Sequence, residues 1–248
     1  MIEQVLSALN MQIAYKQIMK NNGSGGVDGM RISQFSEYLK EHWDAIACKV
    51  RNQEYQPQAI LGVEIPKSNG KTRLLGIPTL TERLLNQAVN QVLSPIFEPD
   101  FQENSYGFRP GRNAHQAVKQ AQQNINDGYQ YILDIDLKNF FDEVQHELLL
   151  ELVYRKVKCP QTLRLVRKWL KAPMLLNGKL IRRKQGIPQG SPLSPLLSNI
   201  VLNELDKELE KRGHRYVSYA DDFSIYLKSW KSARRVGNSI YLFLEQKL

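Results

Sequence analysis

Apolar residues recur at helical spacing in several stretches of this 248-residue chain. Val5, Leu9 and Ile13 predict a helix within the first 20 residues, closed by Asn21-Asn22-Gly23-Ser24-Gly25-Gly26. That Gly-rich segment matches no phosphate-binding fingerprint and reads as a flexible connection. Leu84, Leu85, Ala88, Val92 and Ile96 predict a helix over 80–96, and Ala114, Ala117, Val118, Ala121 and Ile125 one over 112–126. Helical segments follow near 145–157 and 161–171. Pro195 opens a long helix with Leu196, Ile200, Leu205 and Leu209 inward and Gly213 as its stop.

The alternating and β-rich stretches lie between these helices. Gly62–Pro66 and the turn Ser68-Asn69-Gly70 predict a hairpin with Lys67, Lys71 and Arg73 on or beside it. Tyr129–Leu137 reads as a buried strand carrying Asp134 and Asp136 on one face at its end. Met174–Gln185 predicts a hairpin around Asn177-Gly178 whose second arm holds Lys179, Arg182, Arg183 and Lys184, the plain explanation being an edge strand kept soluble by charge. Arg215–Leu227 reads as a strand pair broken at Ala220-Asp221-Asp222.

Composition narrows the class. Lys and Arg outnumber Asp and Glu by 34 to 25, a formal charge of +9, which favours a polyanionic partner such as nucleic acid. Cys48 and Cys159 are too few and too far apart for a disulfide framework or a structural zinc site. His42, His115, His146 and His214 are scattered without metal-ligand spacing. No apolar run approaches the roughly 20 residues that span a bilayer, and Met1–Asn10 lacks a signal-peptide layout, so a soluble, cytoplasmic protein without a membrane partner is expected.

The candidate chemistry is acidic. Adjacent carboxylates at a tight turn, Asp221 and Asp222, repel unless protons or divalent cations relieve them, and Asp136 adds a third oxygen donor. Ordinary turn chemistry is the alternative for the pair alone. Ser105-Tyr106-Gly107-Phe108-Arg109-Pro110-Gly111-Arg112 joins aromatics to arginines in a loop able to stack on bases and clamp phosphates, against the alternative of a turn with solvated arginines. Ser191 has no Gly-x-Ser-x-Gly elbow and is not a candidate nucleophile.

Tyr219-Ala220-Asp221-Asp222 between two strands resembles the catalytic hairpin of reverse transcriptases, and the flanking blocks extend the likeness. Asp136 to Asp142 resembles the family's first catalytic block, which implies that Asp136 and the Leu137 carbonyl bind metal and that Phe141 excludes a ribose 2′-hydroxyl. Gln185 to Pro195 resembles the block beneath template and nucleotide, with Gln189 near the sugar. Ile65 to Pro78 resembles the fingers hairpin, in which Lys67 and Arg73 grip the triphosphate. Asp134 and Asp142 fall at supporting positions. Gly26-Val27-Asp28-Gly29-Met30, Leu75 to Thr79 and Ser105 to Arg112 narrow the resemblance to group II intron-encoded reverse transcriptases, or maturases.

The resemblance implies an α+β fold: the fingers and palm of a right-hand polymerase, with an antiparallel palm sheet backed by helices and no thumb before Leu248. Fingers are expected over 1–85 and 143–188, and palm over 86–142 and 189–248. The implied function is RNA-directed DNA polymerase, using two Mg2+ ions (Mn2+ as substitute) bound by Asp136, Leu137, Asp221 and Asp222. Expected partners are dNTPs, an RNA template with DNA primer, and group II intron RNA, with Arg109 and Arg112 as RNA-binding residues. The rival is an RNA-binding splicing cofactor without effective polymerase activity. A homodimer is expected to cover apolar surface left by a truncated palm.

Overall fold

The computed structural model describes residues 1–66, 70, 72–137 and 139–247; Lys67 and Lys71, expected on or beside the hairpin, lie outside them. The elements run α1 (Ile2–Val5), α2 (Ala8–Asn21), α3 (Ile32–Arg51), β1 (Ile60–Pro66), β2 (Thr72–Ile77), α4 (Leu80–Phe97), α5 (Ala114–Asn126), β3 (Tyr131–Asp136), α6 (Phe140–Glu143), α7 (His146–Lys156), α8 (Pro160–Lys171), β4 (Met174–Leu176), β5 (Lys179–Ile181), α9 (Ser194–Lys211), β6 (Arg215–Tyr219), β7 (Asp222–Leu227) and α10 (Trp230–Lys247). Helices and a largely antiparallel set of strands make this an α+β fold.

The chain forms two compact units, one of residues 1–96 and 141–194, the other of 97–140 and 195–248. The divisions expected at 85/86, 142/143 and 188/189 differ from these. Residue 85 sits inside α4, where Leu84, Leu85, Ala88, Val89 and Leu93 are each buried.

The first unit carries a sheet of order β2-β1-β4-β5. β1 pairs antiparallel with β2 and parallel with β4, and β4 turns into β5 through Asn177 and Gly178, both at positive φ. That is the backbone a two-residue Asn-Gly hairpin requires. α7 and α8 bury Leu149, Leu150, Val153, Leu165, Val166 and Trp169. Glu82, inside this unit, accepts hydrogen bonds from Tyr55 Oη (2.6 Å) and Trp169 Nε1 (2.5 Å), and burial raises its pKa despite both.

Two expectations for this unit change. The N-terminal helix breaks at Leu6-Ser7, and Ser7 Oγ caps α2 by accepting from the Asn10 amide. Asn10 Nδ2 then donates to the carbonyls of Val5 and Ala88, which turns Met11, Ala14 and Ile18 inward and leaves Leu9 and Ile13 70% and 51% exposed. The Gly-rich connection is packed: a Cβ on Gly26 would come within 2.8 Å of the Thr79 backbone, a close approach only glycine permits.

The second unit carries an antiparallel sheet of order β3-β7-β6. Tyr216, Ser218, Phe223 and Ile225 are buried on one face, and a Cβ on Gly237 of α10 would come within 3.6 Å of Leu133 on that face. On the other face Val217 and Tyr226 pack with Tyr106 and with Ala117 of α5. α5 buries less than its apolar pattern implies, with Val118 and Ile125 exposed. β3 is an edge strand, so Tyr131 and Ile132 are exposed and the expected buried strand is corrected. α9 places Leu196, Ile200, Leu205 and Leu209 inward, and Gly213 (φ 69°) follows its end. Among the described residues no helix is long and apolar enough to cross a membrane.

Candidate active site

In the second unit β6 ends at Tyr219, which pairs with Asp222 at the start of β7, so Ala220 and Asp221 form a two-residue turn. Ala220 takes φ 56°, the left-handed conformation that primed hairpin turns demand of their first central residue and that alanine rarely adopts. The turn lifts Asp221 off the sheet while Asp222 remains on the strand. Across the ladder Asp222 is the register partner of Asp136, and Asp134 is the partner of Ser224. Directly opposed residues share a face, so Asp134, Asp136 and Asp222 lie on one side of the sheet.

Electrostatics mark the cluster. The Asp222 carboxyl is pushed above its ordinary range by partial burial and then by the charges of Asp221, Asp136 and Asp134. Asp134 is partly relieved by the Ser224 hydroxyl, which donates to it at 2.7 Å. The Leu137 carbonyl accepts from the Phe140 amide at 3.1 Å, leaving one lone pair available. Among the described residues no three His, Cys, Asp or Glu side chains are drawn together closely enough to hold an ion as they stand. The donors are nevertheless all oxygens, and their mutual repulsion is what a hard divalent cation removes, so the set suits such an ion chemically.

In the first unit Gln185–Gly190 is stitched to two neighbours. The Ile187 amide donates to the Phe141 carbonyl (2.6 Å), the Gly186 amide to the Val144 carbonyl (2.7 Å), and the Gly76 amide of β2 to the Gln189 carbonyl (2.7 Å). Gly190, at φ 115°, lies so close to Gly76 that a Cβ would overlap its carbonyl oxygen, so no other residue fits. Arg73 Nε on β2 donates to Gln189 Oε1 at 2.7 Å, bringing those two expected nucleotide-binding residues together. Asp142 faces Arg183; burial raises the Asp142 pKa and the guanidinium opposes that shift. Ser191 is buried and donates to Asn86 Oδ1 at 2.9 Å, consistent with a structural role. His146 is buried, with Nε2 2.8 Å from the Gly186 carbonyl oxygen.

The two arginines expected to contact RNA are engaged elsewhere. Arg109 is 8% exposed, pairs with Glu98 at 2.8 Å, and donates to the carbonyls of Gln102 and Ser105. A guanidinium committed to a carboxylate and two carbonyls inside the protein has no face for a phosphate, so Arg109 is structural. Arg112 pairs with Glu103 at 2.5 Å and lies over the Tyr106 ring. The loop that carries them lies along β6: the Tyr106 amide donates to the Ser218 carbonyl and the Ser218 amide to the Asn104 carbonyl, both at 2.9 Å. It covers the sheet edge that β6 would otherwise expose.

The family model for reverse transcriptase (RNA-dependent DNA polymerase) matches residues 65–247. The chain belongs to the reverse transcriptase family. Protein YkfC of Escherichia coli (strain K12) is 37% identical to this reverse transcriptase chain over 191 residues, covering 75% of it and 50% of YkfC. Group II intron-encoded protein LtrA of Lactococcus lactis subsp. cremoris is 36% identical over 196 residues, covering 79% of the chain and 32% of LtrA. The chain thus spans half or less of these relatives, and within the reverse transcriptases its similarity runs to intron-encoded proteins and maturases. A solved partial Cas6-RT-Cas1--Cas2 complex matches with TM-score 0.60 and 25% identity, covering 99% of this chain and 41% of that one. A telomerase from Candida albicans, solved with a fragment of telomeric RNA, shares the fold alone, with TM-score 0.58, 15% identity and coverage of 81% and 43%. Reverse transcriptases work with divalent metal ions.

One group of buried polar residues is not marked by any motif in the sequence. Asn199, Asn203 and Asp206 are spaced along one face of α9, each at most 6% exposed. Polar residues at positions where the helical stripe should be apolar were the available signal.

Proposed function

We propose that this chain is the polymerase core of a group II intron-encoded reverse transcriptase, which adds dNTPs to a primer 3′-hydroxyl on an RNA template. The observation that carries this reading is the pairing of Asp136 with Asp222 across β3 and β7, with Asp221 on the adjoining turn. The second unit serves as the palm and the first as the fingers. Two Mg2+ ions, or Mn2+ in their place, would be held by Asp136, Asp221, Asp222 and the Leu137 carbonyl, and they supply activation of the attacking hydroxyl and charge neutralisation at the triphosphate.

The protein's own groups do the rest. Arg73 offers a fork of N–H donors for triphosphate oxygens, Lys67 acts as a point charge on the same hairpin, and Gln189 orients the Arg73 side chain. Phe141 rejects a ribose 2′-hydroxyl by overpacking and by leaving it unpaired, which suits a ring whose backbone is tied to Ile187. The basic balance of the chain supports binding to template and intron RNA.

Primer extension on an RNA template tests the reading. We expect extension with dNTPs and Mg2+, its loss in Asp222→Ala, and acceptance of ribonucleotides in Phe141→Ala. Undiminished synthesis by Asp222→Ala would overturn the metal assignment.

A further inference from the structure

The turn bearing Asp221 and Asp222 is held from below by side chains that touch none of the reacting groups. Asp206 on α9 is 2% exposed, and its Oδ1 accepts from the Ser218 hydroxyl at 2.9 Å. Ser218 is itself buried on β6, three residues before Asp221, and its amide and carbonyl are both bonded to the Asn104–Tyr106 segment. Asn199, two helical turns earlier on α9, donates from Nδ2 to the Gly107 carbonyl at 2.9 Å. Gly107 lies directly under the turn: a Cβ there would sit 2.2 Å from the Ala220 nitrogen. Asn203, between them, donates to the Asp100 carbonyl at 3.2 Å, and Arg109 fixes the far side of the same loop through Glu98.

Burying three polar side chains on one helix face is costly unless each is hydrogen-bonded, and apolar residues would serve a core better. Here the bonds of Asn199 and Asp206 go to the loop and to the strand that leads into the turn. The left-handed Ala220 also has to be held against its own preference, by about 1–2 kcal/mol. From these contacts we propose that Asn199 and Asp206 are positioning residues for the polymerase site: Asn199 through Gly107 and Asp206 through Ser218 set the height of the Ala220–Asp221 turn, and with it the spacing of the three carboxylates. The assignment rests on the turn being the polymerase metal site. Neither residue is among the carboxylates proposed to hold metal. Their effect is on the geometry in which Asp221 and Asp222 face Asp136.

The test uses the full chain and the variants Asp206→Leu, Asp206→Asn, Ser218→Ala and Asn199→Ala. Asp206→Asn keeps an oxygen acceptor for Ser218 and serves as the conservative rescue, and Ser218→Ala removes the bond while leaving the buried acid in place. Hydrogen exchange is read over 104–109 and 216–224, together with nucleotide-incorporation kinetics and the Mg2+ concentration for half-maximal rate. A misplacement of about an ångström costs on the order of a hundredfold in rate. We therefore expect Asp206→Leu and Asn199→Ala to lower kcat by tenfold to a hundredfold, with little change in the dNTP KM, to raise the Mg2+ requirement, and to speed exchange at the turn more than elsewhere in the fold. Ser218→Ala is expected to do the same more weakly, and Asp206→Asn to recover most of the loss. Parent-like exchange at the turn in Ser218→Ala and Asn199→Ala would overturn the proposal, whether or not the chain polymerises. Asp221→Ala, run alongside, addresses the polymerase reading separately: full activity there sinks that reading and leaves the exchange result to decide the network.

Discussion

Two basic segments, the loop from Ser105 to Arg112 and the hairpin β1–β2, look alike in sequence and differ in the fold. Arg109 of the loop is buried, paired with Glu98 and bonded to main-chain carbonyls. Arg73 of the hairpin is exposed and bonded to the neutral amide of Gln189. A cation that has already met its anion inside the protein holds structure together; Arg73, exposed on a neutral amide with Asp142 in electrostatic reach, is the one proposed to meet a ligand. Sequence records both as Arg, and only the partner tells them apart.

The largest effect is expected at Arg109. Arg109→Ala leaves Glu98 and two carbonyls without their partner, and breaking such a pair costs about 3 kcal/mol or more. Urea denaturation should show a much lowered midpoint. A parent-like midpoint with weakened RNA binding would restore Arg109 to the phosphate contacts.

At Arg73 the balance reverses. Arg73→Ala should change stability by less than about 0.5 kcal/mol, as exposed substitutions do, while raising the dNTP KM roughly tenfold through loss of a charge-assisted bond. A lowered melting midpoint with an unchanged KM would count against its role.

The loop's neighbourhood also predicts a pH effect. Burial raises the Asp206 pKa to about 7, against the hydrogen bonds of Ser218 and Ser105 and the charge of Arg109, with Glu210 raising it further. An acid whose folded pKa is raised binds its proton more tightly when folded, so it stabilises fully below its unfolded value near 3.8, and that contribution is lost as pH rises to about 7. Chemical denaturation across pH 4 to 8 should show the parent losing stability relative to Asp206→Asn over that window. Parallel curves would remove the proton from Asp206.

The smallest change is expected at Arg112, whose partner Glu103 is an exposed carboxylate. Arg112→Ala should leave both the midpoint and the salt dependence of RNA binding close to the parent's. A reduced salt slope would return Arg112 to the RNA surface.

Much of the fold was legible because periodicity reports local structure. The long helix with Leu196, Ile200, Leu205 and Leu209, the Asn177-Gly178 hairpin and the strand break at Ala220 all follow from spacing and turn chemistry. What spacing does not carry is tertiary choice. Leu9 and Ile13 face outward because the bonds of Asn10 to Val5 and Ala88 rotate α2. Tyr131 and Ile132 are exposed because β3 falls at a sheet edge, which sheet order decides. Within the site, the three aspartates were visible as residues, whereas the register that opposes Asp136 to Asp222 and the α9 face beneath the turn exist only once the chain is folded.

In the proposed reading Asp136, Asp221 and Asp222 act together as one metal-dependent polymerase centre. Its most direct test is the rate of single dNTP addition to a primer on an RNA template, titrated with Mg2+, for the parent and for Asp136→Asn, Asp221→Asn and Asp222→Asn. We predict a rate that rises with Mg2+ in the parent and falls about a hundredfold or more in each variant. Addition at the parental rate in any of the three would contradict it.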